Sequence, residues 1–179
     1  MTLRLFAAIP VPDAIAGDFN RLRKGVPGAK WRPAENLHIT LRFFGEIDER
    51  MAEDLDAELA SIRQSPFTLA LKGAGWFGKA APSALWLGLD EAEPLMRLNE
   101  KCDRAARRAG LPPEPRKFHP HMTLAYLQGT PVDKANRFVQ RAADLHTEPW
   151  QVTHFSLYSS WITRGNANIY EVEADYPLG

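Results

Sequence analysis

Leu37-His38-Ile39-Thr40-Leu41 and Pro120-His121-Met122-Thr123-Leu124 read as near-copies of one strand, with their histidines 83 residues apart. In an extended chain, residues i and i+2 share a face. His38 and Thr40 therefore project together, while Ile39 and Leu41 project the other way and can pack. His121 and Thr123 repeat this over Met122 and Leu124. Each copy offers an imidazole beside a hydroxyl, backed by apolar residues that hold it rigid. Strands wet on one face and apolar on the other point to antiparallel sheets rather than a buried parallel one.

The flanking segments extend the pattern. Residues 3–9 read as a first strand, and Pro12-Asp13 open a helix with Ile15, Phe19, Leu22 and Val26 at helical spacing. The strand beginning at Leu37 is expected to end at Phe44, closed by Gly45. Asp48 can cap a helix carrying Met51, Leu55, Leu59 and Ile62. Phe67, Leu69 and Leu71 alternate as a strand before a Gly73–Gly78 loop, and Leu85, Leu87 and Leu89 alternate as another. Residues 95–109 are amphipathic and end at Gly110, a C′ glycine. A strand over 122–127, a short helix from Val132, and strands over 150–159 and 169–174 complete the chain. The expected class is α+β, a single bilobed domain over 1–179. Two pseudo-symmetric antiparallel sheets with helices outside would enclose a central cleft, each lobe contributing one H-x-T.

Composition narrows the function. The 179 residues are 45% hydrophobic and 25% charged, ordinary for a globular chain. Twenty-two Lys and Arg balance 22 Asp and Glu, which argues against holding nucleic acid or membrane through bulk charge. The distribution is uneven, however. Residues 20–43 hold six cations against Glu35, and residues 97–117 hold seven against three acids, while residues 46–58 hold seven acids against Arg50. A locally basic groove beside an acidic helix fits that pattern. A single cysteine, Cys102, excludes an internal disulfide and a Cys-based zinc cage, and its helical context marks it as a packing residue. The short apolar run before Pro10 is not a signal segment, and nothing approaches a membrane span of about 20 residues. The expectation is a soluble, cytoplasmic monomer with no membrane partner.

Two imidazoles and two hydroxyls around one anion suit phosphoryl transfer. One imidazole takes a proton from attacking water and the other gives one to the leaving oxygen; an ordinary pKa of about 6.5 permits either role. Threonine hydroxyls can donate to the non-bridging oxygens where charge gathers. No metal and no cofactor is required.

The paired motifs, with Arg4–Ile9, Trp31, Asn36–Gly45, Pro66-Phe67, Leu85–Gly88, Phe118–Ala125, Phe155–Ser160, Tyr170–Val172 and Tyr176–Leu178, resemble the 2H phosphoesterase superfamily. Within it they are similar to the RNA 2′,3′-cyclic phosphodiesterase/2′-5′ RNA ligase branch. The resemblance implies two α+β lobes around a groove, and metal-free opening of a terminal 2′,3′-cyclic phosphate to a 2′-phosphate. It implies His38 as the acid protonating the departing 3′ oxygen, His121 as the base activating water, and Thr40 and Thr123 as phosphate-oxygen donors. RNA 3′ ends or small nucleotide cyclic phosphates are the implied partners. Reversible 2′-5′ ligation, cyclic-nucleotide hydrolysis and a non-catalytic RNA-end binding module remain open alternatives. One position departs: many relatives carry Arg directly after the second T-L-A, where this chain has Tyr126.

His119 forms H-P-H with His121, a spacing shared with metal ligands, but without a matching third ligand it reads as a contact at the substrate's edge. His146 and His154 lack such context and read as structural or surface residues. Lys30, Arg32, Arg42, Arg116 and Lys117 are the phosphate candidates nearest the motifs. Trp31, Phe44, Trp76 and Phe77 are candidate base-stacking platforms, with Trp31 preferred because Lys30 and Arg32 flank it. Tyr126 can hydrogen-bond phosphate or stack on a base.

Overall fold

The two motif strands lie side by side. In the computed structural model, which describes residues 1–165 and 168–179, β3 (His38–Asp48) and β6 (Met122–Leu127) pair antiparallel through Ile39 and Met122. Both strands are central to one sheet in the order β7-β4-β5-β6-β3-β1-β8-β9, with β2 also pairing with β6. The other strands are β1 (Thr2–Pro10), β2 (Ala29–Trp31), β4 (Phe67–Phe77), β5 (Ala84–Asp90), β7 (Trp150–Val152), β8 (His154–Ile162) and β9 (Asn168–Pro177). The helices are α1 (Asp13–Ala16), α2 (Glu49–Ala60), α3 (Glu93–Arg108) and α4 (Val132–Arg141). Antiparallel pairing and the interleaved helices give the expected α+β class. The expected two sheets are instead two halves of one sheet, continuous through the Ile39–Met122 pair, because both side chains are fully buried there.

An antiparallel pair has a local two-fold axis through its partnered residues. About the Ile39–Met122 pair, that axis exchanges His38 with His121, Thr40 with Thr123, and Leu41 with Leu124. The same exchange relates β1 to β5, β8 to β4 and β9 to β7 in the strand order. The chain does not keep to its halves. β4 follows α2 yet lies beside β5 in the second half, and β8 follows α4 yet lies beside β1 in the first. The repeats swap a strand.

Apolar spacing explains the packing. Leu95, Leu98, Cys102, Ala105 and Ala106 form the buried stripe of α3, which packs on α2 and β3. Leu55 and Leu59 bury α2, and Ala135 and Phe138 bury α4 against β4. Asp48 caps α2 by accepting from the Met51 amide at 2.8 Å. The Gly110 φ of 99° lets the chain turn away after α3.

Several boundaries differ from expectation. The helix opening at Asp13 becomes tighter 3₁₀ turns over Gly17–Leu22, since Gly17, Asp18 and Asn20 favour an α-helix weakly. Ile15, Phe19, Leu22 and Val26 are nevertheless all buried. Gly45, at φ 79°, does not end β3 but absorbs a bulge against β1, and the strand runs on to Asp48. Gly73, at φ 67°, does the same within β4, so most of the expected loop is strand. The strand expected over 150–159 divides at Thr153: β7 joins β4, and β8 joins β1. Among the described residues, no helix is long and apolar enough to cross a membrane.

Candidate active site

Continuing the Ile39–Met122 register by one residue each way sets His38 across from Thr123 and Thr40 across from His121. Ile39, Leu41, Met122 and Leu124 are buried. The four polar side chains therefore converge, and all four line one cleft of about 530 Å³.

Each histidine is held identically by its own backbone. His38 Nδ1 lies 2.8 Å from the Asn36 carbonyl, and His121 Nδ1 lies 2.6 Å from the His119 carbonyl. A carbonyl oxygen only accepts, so Nδ1 carries the proton in both neutral rings and Nε2 keeps a free lone pair. Pro120 favours an extended His119, in keeping with its carbonyl's approach to the ring. The packing differs between the two. His38 lies against Phe6 (ring centres 4.9 Å apart), Tyr170 (5.3 Å) and Tyr158 (6.1 Å). His121 meets Phe77 edge-on at 4.8 Å and Trp86 at 6.3 Å. Burial pushes the His38 pKa down to about 4; the Asn36 carbonyl opposes this, and the charges of Arg32 and His121 add to it. His121 is also lowered by burial, opposed by the His119 carbonyl and aided by the His119 ring. Both shifts favour the neutral imidazole.

Of the remaining candidates, Arg32, Arg42, Arg116, Lys117, His119 and Tyr126 line the cleft. Lys30, Trp31 and Phe44 do not. Alternation along β2 explains the first two: Trp31 turns inward, 6.0 Å from Phe138, and Lys30 is exposed opposite Tyr126 in the ladder. Trp31, partly buried, therefore packs against the core outside the cleft lining. On β3 the ladder slips between Ala7 and Ala8, skipping Leu41. Phe43 consequently joins Thr40 on the cleft side, and Phe44 turns under, buried beneath the Arg42 guanidinium. Phe44 is likewise a packing residue. Arg42 is buried and committed to Asp103 at 3.0 Å and to the Pro112 carbonyl at 2.6 Å, tying β3 to α3 and the loop after it. Arg116 pairs with Glu114 at 3.0 Å. His119 is exposed, edge-on to Trp86 and Phe77, with its ring centre 5.8 Å from that of His121. Tyr126 brings no charge of its own, but the Arg32 guanidinium carbon lies 5.2 Å from its ring centre.

Some cleft groups were not foreseen. Tyr170 reaches in from β9 and accepts a hydrogen bond from Arg32 Nη2 at 2.5 Å across 138 residues of sequence. Arg104 and Arg107 of α3 also line the cleft. No local pattern signals either: each depends on which elements meet at the opening.

Residues 11–160 match the model of the 2′-5′ RNA ligase superfamily. The RNA 2′,3′-cyclic phosphodiesterase of Aeropyrum pernix is 35% identical over 84% of this chain and 88% of its own length. The protein of that name from Thermotoga maritima is 32% identical over 90% and 88%. Among solved structures, E. coli LigT complexed with 3′-AMP superposes with a TM-score of 0.81 at 28% identity, covering 99% of both chains. With a match spanning most of its length and relatives above 30% identity, the chain belongs to the 2′-5′ RNA ligase superfamily.

Proposed function

We propose that this protein opens terminal 2′,3′-cyclic phosphates on RNA to 2′-phosphomonoesters by acid–base catalysis through His38 and His121. The observation carrying this reading is the Ile39–Met122 register, which sets two imidazoles with free Nε2 lone pairs and two hydroxyls around one cleft. The names of the relatives support the substrate class. His121 Nε2 takes a proton from water as the water oxygen bonds to phosphorus. The P–O3′ bond breaks, and His38 gives its proton to O3′. Thr40 and Thr123 donate to the non-bridging oxygens. With its pKa pressed down, His38 takes up that proton together with the substrate, whose anionic phosphate offsets the Arg32 charge. The two imidazoles and two hydroxyls supply the acid, the base and the oxygen donors that a route through protein groups needs.

The superfamily's name favours a second reading, 2′-5′ ligation. An RNA 5′-hydroxyl in place of water would bond to phosphorus as O3′ leaves, with the same two imidazoles serving. Either reaction suits a monomeric, cytoplasmic protein forming a single bilobed domain over 1–179, with RNA 3′ ends as its partners. The test is product analysis with a cyclic-phosphate oligonucleotide in EDTA. Turnover to a 2′-phosphate is expected. A 3′-phosphate would overturn the leaving-group assignment, and activity lost to EDTA but restored by zinc would overturn the metal-free route. Tight binding without product would identify a binding module.

A further inference from the structure

Arg32 is a buried cation of the cleft with no counter-charge paired to it among the described residues. The residue is only 7% exposed, yet among the described residues no carboxylate forms an ion pair with it. Its neighbours are π faces: the guanidinium carbon lies 5.2 Å from the Tyr126 ring centre and 5.1 Å from that of Tyr170. One of its donors is taken by the Tyr170 hydroxyl. Aromatic faces attract a cation but do not neutralise it, and a buried charge without a partner is costly. The backbone leaves little freedom to escape this position. The Arg32 amide bonds the Leu124 carbonyl at 2.9 Å, within the second motif's own strand. At the start of the same segment, Gly28 packs so closely on Gln128 that a Cβ would lie 2.0 Å from its carbonyl oxygen.

We propose that Arg32 is a substrate-phosphate ligand, held between Tyr126 and Tyr170 so that its planar fork receives a pair of non-bridging oxygens beside Thr40 and Thr123. The missing counter-charge is the phosphate itself. A guanidinium suits this better than an ammonium, because its donors match two oxygens at once and its flat face tolerates the flanking rings. Tyr170 is a positioning residue. Its hydroxyl accepts from Nη2 and sets the plane of the fork.

This inference rests on the cyclic-phosphate reading, but its test is separable from it. Inorganic phosphate is titrated calorimetrically into the wild type, Arg32→Gln, Arg32→Lys and Tyr170→Phe, with circular dichroism to check folding. Arg32→Gln is expected to weaken phosphate binding about 10- to 100-fold, since a charge-assisted bidentate contact is lost. Arg32→Lys should fall between it and the wild type, and Tyr170→Phe should weaken binding about three- to tenfold. A second readout is the His38 ring titration followed by NMR, which should move upward in Arg32→Gln as a neighbouring positive charge disappears. Wild-type phosphate affinity and an unmoved His38 titration in folded Arg32→Gln would overturn the proposal. Should Arg32→Gln fail to fold, wild-type affinity in both Arg32→Lys and Tyr170→Phe would do the same. If wild-type protein bound phosphate through Arg32 but never opened a cyclic phosphate, the functional reading would fall and the ligand assignment would stand.

Discussion

His38 and His121 have the same sequence context, the same carbonyl two residues back and the same tautomer, yet they inhabit different surroundings. His38 lies in a box of Phe6, Tyr158 and Tyr170, with the Arg32 charge nearby. His121 has an aromatic wall of Phe77 and Trp86, with the exposed His119 ring alongside. The two-fold relation thus holds for the backbone and breaks in the side chains. The difference teaches how equal groups acquire unequal proton affinities: burial is the largest influence on both, and at His38 the Arg32 guanidinium adds a smaller push in the same direction.

The strongest way to break this comparison is to remove each imidazole. His38→Ala and His121→Ala should each lower kcat by about 10²- to 10⁴-fold, measured on a cyclic-phosphate oligonucleotide, with the fold intact by circular dichroism. Near-wild-type turnover in either would end the two-histidine scheme. Thr40→Ala and Thr123→Ala should each cost about 10²-fold in kcat, with KM moving less, because their hydroxyls act where charge develops. A large loss in only one would mean that phosphate sits on one side of the two-fold axis.

The pH dependence sharpens the comparison further. The acid must be protonated and the base neutral, so kcat/KM follows a bell whose limbs are the pair's free-enzyme pKa values. Both are lowered, one to about 4, so both limbs should fall below the ordinary histidine value of about 6.5, and kcat/KM should decline as pH rises above it. In kcat the alkaline limb should move upward, since bound phosphate favours the protonated imidazole. Limbs above pH 7 in kcat/KM would show that burial does not set these affinities. The smallest expected effect is at Trp31: Trp31→Phe should leave KM within about twofold while lowering the melting temperature, as loss of core packing does. A tenfold rise in KM would restore a stacking role.

The site's centre was legible because two-residue alternation is local: His38, Thr40, His121 and Thr123 share a face whatever surrounds them. Leu85, Leu87 and Leu89, and the stripe from Leu95 to Ala106, were legible for the same reason. Alternation also misleads where the ladder slips. Gly45 and Gly73 read as strand ends but absorb bulges, and the slip at Leu41 decides that Phe43 rather than Phe44 meets the cleft. Tyr170 was out of reach, as its bond to Arg32 depends on β8 and β9 closing across the first half. The split at Thr153 was equally hidden, because both pieces are strand and only their partners differ.

The strand swap between the repeats has a consequence for how this molecule can come into being. Neither repeat can complete its own half, since β4 serves the second and β8 the first. Cutting the chain between them would leave two fragments with open sheet edges, not two working lobes. Contacts bridging such separations form late, after long loops have closed. Catalytic competence therefore arrives only with the complete fold, and activity regained on refolding would report the closing of the whole molecule.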